Sequence, residues 1–568
     1  MKNEERDIYV IPPNFMEGGT LLGGMFKTRN VIEAGILGVL VGAPVLNLGL
    51  SLTTRIIILC LTALPLVLVA LIGIAGNSLS EFALLFFTFL KNRRILSRDP
   101  LPSDSRSKRK SLHPTWVRKK KADQPPQDQE SVPASRKRIR LDFKGRKIDQ
   151  IKTFLPSDES SKPLNPLAEY IPIEKIENGI IYTRDHRYIK IVEVVPVNFL
   201  LRSAQEQRGI IYSFISYLKI APVKVQFKVL TKRADIDRHV ESVRKELERE
   251  RDPHCRALQE DYLRLIQQLG SREAITRRFF LTFEYEELPG TRRGHEEEEA
   301  IASLETAART ASNYLRQCGN TVLLPENADE AASEILFHIL CRKESNETSF
   351  SQKVKQVLAE YLAAGRSLDN IPSNEFYAPD RIDLSHGRYI CIDGIYYSYL
   401  LVPSDGYKSQ VPAGWLSLLV NAGDGIDLDM FLARQPKDRV IRKLGQQLRI
   451  NRSRIKEASD TNTDFDDLDG AIRSGYFLKE GLGNNEDFYY INLLITITAN
   501  SIDELEWKSA EMKKLLLSQD MNVQPCSFCQ EQAFLSSLPL VSLERRLYER
   551  SKRNVLTLGA ASCYPFTS

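Results

Sequence analysis

Two long apolar runs near the N-terminus dominate the hydrophobic pattern of the chain. Residues 56–76, IIILCLTALPLVLVALIGIAG, carry no charged side chain. About 20 apolar residues are enough for a helix to cross a bilayer, so this run predicts a transmembrane helix in spite of Pro65. Residues 34–50, AGILGVLVGAPVLNLGL, predict a second span, with a re-entrant or interfacial segment as the alternative. We place the two spans at about residues 34–52 and 56–76.

The link between these runs is too short to hold a domain, so two spans would form a hairpin with both ends on one side of the membrane. Lys27 and Arg29 precede the hairpin, and Lys91, Arg93 and Arg94 follow it. Cytoplasmic flanks of membrane helices are enriched in Lys and Arg. The pattern therefore predicts a multi-pass protein of the plasma (inner) membrane with both termini in the cytoplasm.

A third helix is predicted over residues 79–94, directly after the second span. Ser78 and Glu81 have the spacing of a capping box, in which each side chain bonds to the backbone N–H of the other residue. The helix ends in Lys and Arg. Its apolar residues are Phe82, Leu85, Phe86, Phe89 and Leu90. We expect it either to lie in the membrane interface or to pack on the span or a partner subunit. Residues 1–95 would then form one membrane domain.

Residues 96–163 read as a basic, disordered linker. Residues 91–150 hold 19 Lys and Arg against 7 Asp and Glu, a net charge of +12, whereas the whole chain carries only +5. Apolar residues are too sparse there to offset the entropy of ordering. The candidate contacts to anionic lipid or to nucleic acid are Lys108, Arg109, Lys110, Arg118, Lys119, Lys120, Lys121, Arg136, Lys137, Arg138 and Arg140. A solvated linker that binds nothing specific is the alternative.

From about residue 164 the pattern becomes that of a folded α/β or α+β body. Residues 179–195 predict two strands joined by a turn, and residues 203–219 predict a helix with one apolar face. In VKVQFKVL the side chains alternate, so Val225 and Phe227 are expected to face the core and Lys228 to face solvent. Strand, helix and strand form a βαβ-type beginning. The motif recurs after residue 366, which predicts two lobes over residues 164–366 and 367–568.

No catalytic, metal-binding or cofactor-binding residues are predicted. The eight Cys are scattered, and only Cys526 and Cys529 have a suggestive spacing, without the further ligands that a zinc site needs. Residues 460–470, DTNTDFDDLDG, resemble a calcium loop but have Phe465 where a glycine is needed. A phosphate-binding G-x-x-x-x-G-K-[ST] loop does not occur in the sequence.

Four stretches of the sequence resemble two known protein families of conjugation machines. PIEKIENGIIYTRDHRYIKIVEVVPVNFLLRSAQEQRGIIYSFISYLKIAPVKVQFKVL and CQEQAFLSSLPL resemble the N-terminal domain of the CagE/TrbE/VirB family, the motor ATPases of type IV secretion. MFKTRNVIEAG together with GIAGNSLSEFALLFFTFLKNRR resembles the PrgI family of small two-span membrane subunits. In the ATPase family a RecA-like domain with the phosphate-binding loop follows this region, so the resemblance implies a chain that ends where the motor would begin.

These resemblances imply a membrane-anchored scaffold that docks a motor ATPase, other secretion subunits and further copies of itself. The chain itself is not expected to be an enzyme. One alternative is the truncated front part of a motor ATPase whose phosphate-binding domain lies downstream. Another is a membrane-tethered DNA-binding protein that contacts the transferred DNA through the basic linker.

Overall fold

The computed structural model describes residues 8–14, 20–21, 26–47, 49, 51–74, 76–98, 165–233, 236–270, 275–285, 296–368, 371–457 and 463–567. Most of the linker predicted over residues 96–163 lies outside this set, as do all of its basic clusters. The described residues belong to one compact unit. Below, the body means residues 164–568.

Seventeen α-helices occur among the described residues. They are α1 Thr28–Asn47, α2 Leu52–Ile72, α3 Leu79–Asn92, α4 Ala204–Ile220, α5 Ile236–Arg249, α6 Pro253–Gly270, α7 Glu296–Gln317, α8 Ala328–Leu340, α9 Arg342–Glu347, α10 Phe350–Ala363, α11 Ser417–Val420, α12 Lys437–Glu457, α13 Thr463–Gly483, α14 Ile502–Leu517, α15 Gln530–Ser537, α16 Arg545–Ser551 and α17 Thr557–Ser562. The helix predicted over residues 203–219 is confirmed as α4, and Ser203 caps it with Glu206 in a complete capping box.

The same residues form eighteen strands. They are β1 Ile8–Val10, β2 Thr20–Leu21, β3 Phe26–Lys27, β4 Ile95–Ser97, β5 Ile173–Glu177, β6 Ile180–Thr183, β7 Tyr188–Val195, β8 Lys224–Arg233, β9 Ile275–Glu284, β10 Thr321–Leu323, β11 Arg381–Asp383, β12 Ile390–Ile392, β13 Ile395–Leu401, β14 Gln410–Pro412, β15 Ile426–Gln435, β16 Phe488–Ala499, β17 Gln524–Pro525 and β18 Arg553–Leu556. The two strands predicted over residues 179–195 are confirmed as β6 and β7.

One large antiparallel sheet organises the body. Its main path runs β4-β11-β12-β13-β16-β15-β8-β9-β7-β6-β5, and β10, β17 and β18 pair with β7, β13 and β16. The predicted βαβ beginning is present in a split form, because β9 lies between β7 and β8 and is antiparallel to both. The predicted mixed α/β class is therefore confirmed, with an antiparallel sheet.

The body contains an internal duplication. Residues 173–323 run β5, β6, β7, α4, β8, α5, α6, β9, α7, β10, and residues 381–525 repeat this order as β11, β12, β13, α11, β15, α12, α13, β16, α14, β17, with β14 added. The halves meet where β8 pairs with β15, and the strand order away from that pair is equivalent on both sides. The recurrence seen in the sequence thus reflects two halves of one topology.

The two predicted lobes are not separate bodies. Strands from residues 164–366 and from residues 367–568 join in a single sheet, and both segments belong to one compact unit. The β8–β15 pair, which runs from Leu428 opposite Val229 to Ala433 opposite Lys224, makes the connection. A hydrogen-bonded strand pair of this length holds the halves together as one layer.

Both faces of the sheet are covered, which overturns one prediction about β8. Val225, Phe227 and Val229 lie in the core under α4 and α7, as expected. The opposite side of β8 was expected to face solvent, yet Gln226 is 0% and Lys228 2% exposed. The segment that contains α15 lies over that face and turns a predicted solvent side into a second interior.

Gln226, Lys228 and Asp429 on this second face form a hydrogen-bonded network. Lys228 Nζ donates to Asp429 Oδ2 at 2.9 Å and to the Ser537 carbonyl oxygen at 2.8 Å. Gln226 Nε2 donates to Asp429 Oδ1, while its Oε1 accepts from the Val541 N–H at 2.8 Å. Buried polar groups must find such partners. The network therefore ties the chain after α15 to the junction of the two halves.

One buried histidine gives the body a pH-dependent stability. His338 on α8 lies with its ring nitrogens near Lys232 Nζ at 3.3 Å and Glu334 Oε1 at 3.3 Å. Burial, together with the nearby Lys232 and Arg278 charges, lowers the pKa of His338 below its usual value near 6.5. Below that value the unfolded chain binds a proton that the folded protein resists, so the free energy of unfolding falls as the pH drops.

We expect His338→Gln to lose less stability than the parent protein between pH 7.5 and pH 5.5, measured from urea unfolding midpoints. Asp393 and Asp429, whose pKa values burial raises to about 6, act in the opposite direction, since protonation favours their buried state. They are present in both proteins, so the comparison isolates the histidine. An identical pH dependence in the two proteins would contradict this role.

Candidate functional site

The helices α1 and α2 form an antiparallel hairpin. At its base Asn30 Nδ2 donates to the Leu71 carbonyl oxygen at 3.0 Å. At its tip Ser51 caps α2 by accepting from the Thr54 N–H, and Arg55 donates to the Leu46 carbonyl oxygen at 2.9 Å. The predicted pair of helices is confirmed, although both begin several residues earlier than residues 34 and 56.

Small residues let the two helices approach closely. The position of a Cβ at Gly38 would be 3.4 Å from Val67, and one at Gly42 would be 3.8 Å from Leu59. Gly38 and Gly42 form a G-x-x-x-G pattern, which is a common packing signal between membrane helices. This local pattern in the sequence is a signal from which the close helix packing could have been predicted.

The outer surface of the hairpin is apolar and exposed. Both α1 and α2 are long and apolar enough to cross a membrane, and most of their side chains are not buried in the body. The exposed large apolar residues of the hairpin are Ile32, Ile36, Val39, Leu40, Leu46, Leu52, Ile56, Ile57, Leu61, Leu64, Leu68, Val69 and Ile72. A core helix of a soluble protein would instead bury such residues.

Charged and polar groups join the base of the hairpin to α3. Arg29 Nη1 lies 2.7 Å from Glu81 Oε1, and Ser80 Oγ donates to Glu33 Oε1 at 2.6 Å. Ser78 accepts from the Glu81 N–H, as the predicted capping box requires. The Glu81 carboxylate, however, forms the ion pair with Arg29. The capping pair therefore also connects α3 to α1.

The helix α3 packs on the body through an aromatic cluster. The rings of Phe82, Phe86 and Phe89 surround Phe528, with centroid distances of 5.5, 5.3 and 5.5 Å. Leu85 belongs to the core of the body and is 7% exposed. The helix α3 was expected either to lie in the membrane interface or to pack on the span or a partner subunit. In the structure it packs on a protein surface, and this surface is the body of the same chain.

The other side of α3 remains apolar and exposed. Its large residues Leu84, Phe87 and Leu90 are 52%, 67% and 46% exposed. Spacings of three residues place them along one side of the helix, away from Phe528. The helix thus has one apolar side on the body and another in contact with solvent or membrane. The exposed cations Lys91, Arg93 and Arg94 lie at its C-terminal end.

The Cys526–Cys529 loop serves to present Phe528. Phe528 has a φ of 61°, and its N–H donates to the Gly387 carbonyl oxygen at 2.6 Å. A Cβ at Gly387 would lie 2.6 Å from the Phe528 ring, so the close approach requires glycine. Cys526 and Cys529 are both buried, and a hydrogen bond with the Cys529 thiol, together with burial, raises the pKa of Cys526.

The chain after α3 enters the large sheet. Residues 95–97 pair with β11 in the register Ile95 opposite Asp383 and Ser97 opposite Arg381. Arg94 Nη2 lies 2.7 Å from Glu531 Oε1 on α15. Residues 96 and 97 were expected to belong to the disordered linker. Here the backbone hydrogen bonds of an edge strand order them instead.

The chain before the hairpin is also built into the body. β1 pairs with β14, with Ile8 opposite Pro412 and Val10 opposite Gln410. Ile11 is fully buried in the core. Hydrogen bonds with residues 552–554 continue the contact. Asn14 Nδ2 donates to the Lys552 carbonyl oxygen at 2.7 Å, and Asn14 Oδ1 accepts from the Asn554 N–H at 3.0 Å. Arg553 Nη2 donates to the Ile11 carbonyl oxygen at 3.1 Å.

The candidate functional site is therefore an exposed apolar hairpin whose two flanks are both attached to the body. Neither attachment was predicted from the sequence. The run IYVI before Pro12 and Pro13 is a short strand signal, but nothing local identifies β14 as its partner. The predicted contact residues Lys108–Lys110, Arg118–Lys121, Arg136–Arg138 and Arg140 lie outside the described residues, so their role stays a prediction. Comparisons found no family model that matches the chain and no similar curated protein.

Proposed function

We propose that the chain is a membrane-anchored scaffold subunit of a conjugative type IV secretion apparatus, which recruits a motor ATPase to the membrane channel. The observation that carries the membrane part is the exposed apolar hairpin with both flanks fixed to one sheet. The resemblance of the front end to PrgI proteins and of the body to the ATPase N-terminal domain supplies the secretion part.

The size of the exposed apolar surface supports insertion into a bilayer. Among the described residues of the hairpin, thirteen large apolar side chains are exposed. Burying one such side chain is worth about 1.5–3 kcal/mol, so lipid contact would contribute on the order of 20 kcal/mol for the set. Most backbone groups of an α-helix bond within the helix, as a lipid environment requires. Pro44 in α1 and Pro65 in α2 each lack one such N–H donor.

Attachment on both flanks would fix the body relative to the membrane. A hairpin joined by one flexible connection would leave a body free to rotate. Here β1 precedes the hairpin, and α3 with β4 follows it, so the body is held at two separate places. Such a support suits a subunit on which a motor and neighbouring copies assemble. In this proposal both termini and the body lie on the cytoplasmic side of the plasma membrane.

Labelling of cysteines tests the location. Cys60 on α2 and Cys255 on α6 are exposed, and five of the other six cysteines are buried. In a Cys60→Ala protein, a membrane-impermeant maleimide should label Cys255 only after protoplasts are broken. Adding Gly49→Cys at the tip of the hairpin should give labelling in intact protoplasts, and the protein should stay in the membrane after carbonate and high-salt washes.

A pull-down tests the scaffold role in the same cells. Tagged full-length chain, extracted from its own membrane with detergent, should carry an ATPase with a G-x-x-x-x-G-K-[ST] loop in a constant ratio. Labelling of Cys255 from outside, or release by the washes, would contradict the anchoring. Retention in the membrane without any such ATPase would contradict the scaffold role alone.

A further inference from the structure

A cavity lies where the membrane segment meets the body. Its volume is about 210 Å³, and its walls include Asn77, Glu81 and Leu85 from the membrane segment and Arg546, Leu547 and Arg550 from α16. Pockets for drug-sized ligands measure about 300–1,000 Å³, so this cavity suits a smaller group. It opens to the surface beside the start of α3.

The walls of the cavity combine two guanidinium groups, two carboxylates and an apolar set. Arg546 and Arg550 are four residues apart, so they lie on the same side of α16. The two carboxylates nearby have other partners: Glu81 pairs with Arg29 at 2.7 Å, and Glu544 accepts from the Arg546 N–H at 2.8 Å. The floor of the cavity is formed by Leu85, Phe528 and Leu547.

The position of the cavity matches the headgroup region of a membrane. Asn77 follows the last residue of α2, Ile72, by only five residues, and Glu81 lies in the first turn of α3. The end of a membrane-spanning helix lies near the boundary between hydrocarbon and headgroups. The cavity therefore lies at the depth where phosphate groups and glycerol backbones of lipids are found.

We propose that this cavity binds the phosphate diester headgroup of a glycerophospholipid from the leaflet next to the body. Arg546 would hold the phosphate oxygens, because guanidinium groups form charge-assisted hydrogen bonds with them. Arg550, whose Nη2 donates to Gln524 Oε1 at 3.0 Å, would add its positive charge. Leu85, Phe528 and Leu547 would contact the glycerol and the first methylene groups. A lipid held there would fill the space between anchor and body. This inference rests on the proposed membrane attachment.

Lipid retention by the purified full-length protein tests the proposal. Phosphatidylglycerol is titrated into delipidated protein in a maltoside detergent, and bound lipid is counted by native mass spectrometry. Arg546→Gln should weaken binding by about tenfold or more, the loss expected for one charge-assisted hydrogen bond. Arg545→Gln is the matched control, since Arg545 is exposed, adjacent in sequence and not part of the cavity wall. Its binding should stay within about twofold of the parent protein.

The outcomes separate the possible ligands and causes. Equal losses in Arg545→Gln and Arg546→Gln would mean general surface attraction and would overturn the site. Displacement of the lipid by inorganic phosphate or glycerol 3-phosphate at similar concentrations would assign the site to free phosphate and overturn the lipid. Arg546 is exposed, so its replacement should leave folding intact. The Arg546→Gln protein should also remain in the membrane after carbonate washing. Release of the parent protein by the same wash would mean that the membrane attachment itself fails.

Discussion

Replacing Asp429 with Ala should lower the free energy of unfolding by about 3–5 kcal/mol, the cost of leaving one member of a buried ion pair without its partner. Lys228 and Asp429 are 2% and 0% exposed and 2.9 Å apart. Without the carboxylate, the Lys228 ammonium would remain buried next to the Ser537 carbonyl oxygen alone. Urea unfolding of the purified protein in detergent measures the loss.

A second variant separates the charge from the packing. Lys228→Met combined with Asp429→Leu should recover most of the lost stability, because apolar residues of similar size avoid the cost of burying both charges. Glu305→Ala is the control, since its ion pair with Arg309 is exposed at 43% and 76% and should contribute less than about 1 kcal/mol. A loss near the control value for Asp429→Ala would mean that water reaches the pair.

Replacing Phe528 with Ala should release α3 from the body. A fully buried Phe→Ala change costs about 3–5 kcal/mol, and each aromatic pair adds roughly 0.5–1.5 kcal/mol. Phe528 contacts three rings but is only partly buried, so we expect about 2–4 kcal/mol for the detachment of α3. Hydrogen exchange of the α3 amides measures it, because a detached helix opens more often.

Phe87→Ala is the matched control for this change. Phe87 lies on the same helix, but its side chain is 67% exposed and points away from Phe528. In detergent its replacement should leave the exchange of the α3 amides close to that of the parent protein. Equal protection of α3 in Phe528→Ala and the parent protein would show that β4 and the Arg29–Glu81 pair hold the helix without the aromatic cluster.

These two contacts have different consequences for the proposed scaffold. The Lys228–Asp429 pair lies where the two halves of the sheet meet, so its loss should weaken the whole body. The Phe528 cluster lies between the membrane segment and the body, so its loss should weaken mainly their connection. A Phe528→Ala chain that remains folded and in the membrane, yet recruits less ATPase, would link the connection to the proposed role.

The sequence by itself determined the elements whose signals are local. Apolar runs, capping residues, turn residues and alternation were sufficient to predict α2, α3, α4 and the strands β6, β7 and β8, because each signal lies within the element that it forms. The bounds of the span predicted over residues 34–52 were less accurate. The helix α1 begins at Thr28 with polar residues that a hydropathy pattern excludes. The recurrence of the pattern after residue 366 was also visible, as one half of a duplicated topology.

Which elements lie together depends on contacts between distant parts of the chain. β1 pairs with a strand 400 residues later in the chain, and β4 pairs with β11 across the linker. Lys228 has the alternation of a solvent-facing residue and is buried because a segment 300 residues away covers it. Phe528 contacts α3, which is likewise far away in the sequence. Periodicity reports the face of an element, but what covers that face depends on hydrogen bonds and packing between distant parts of the chain.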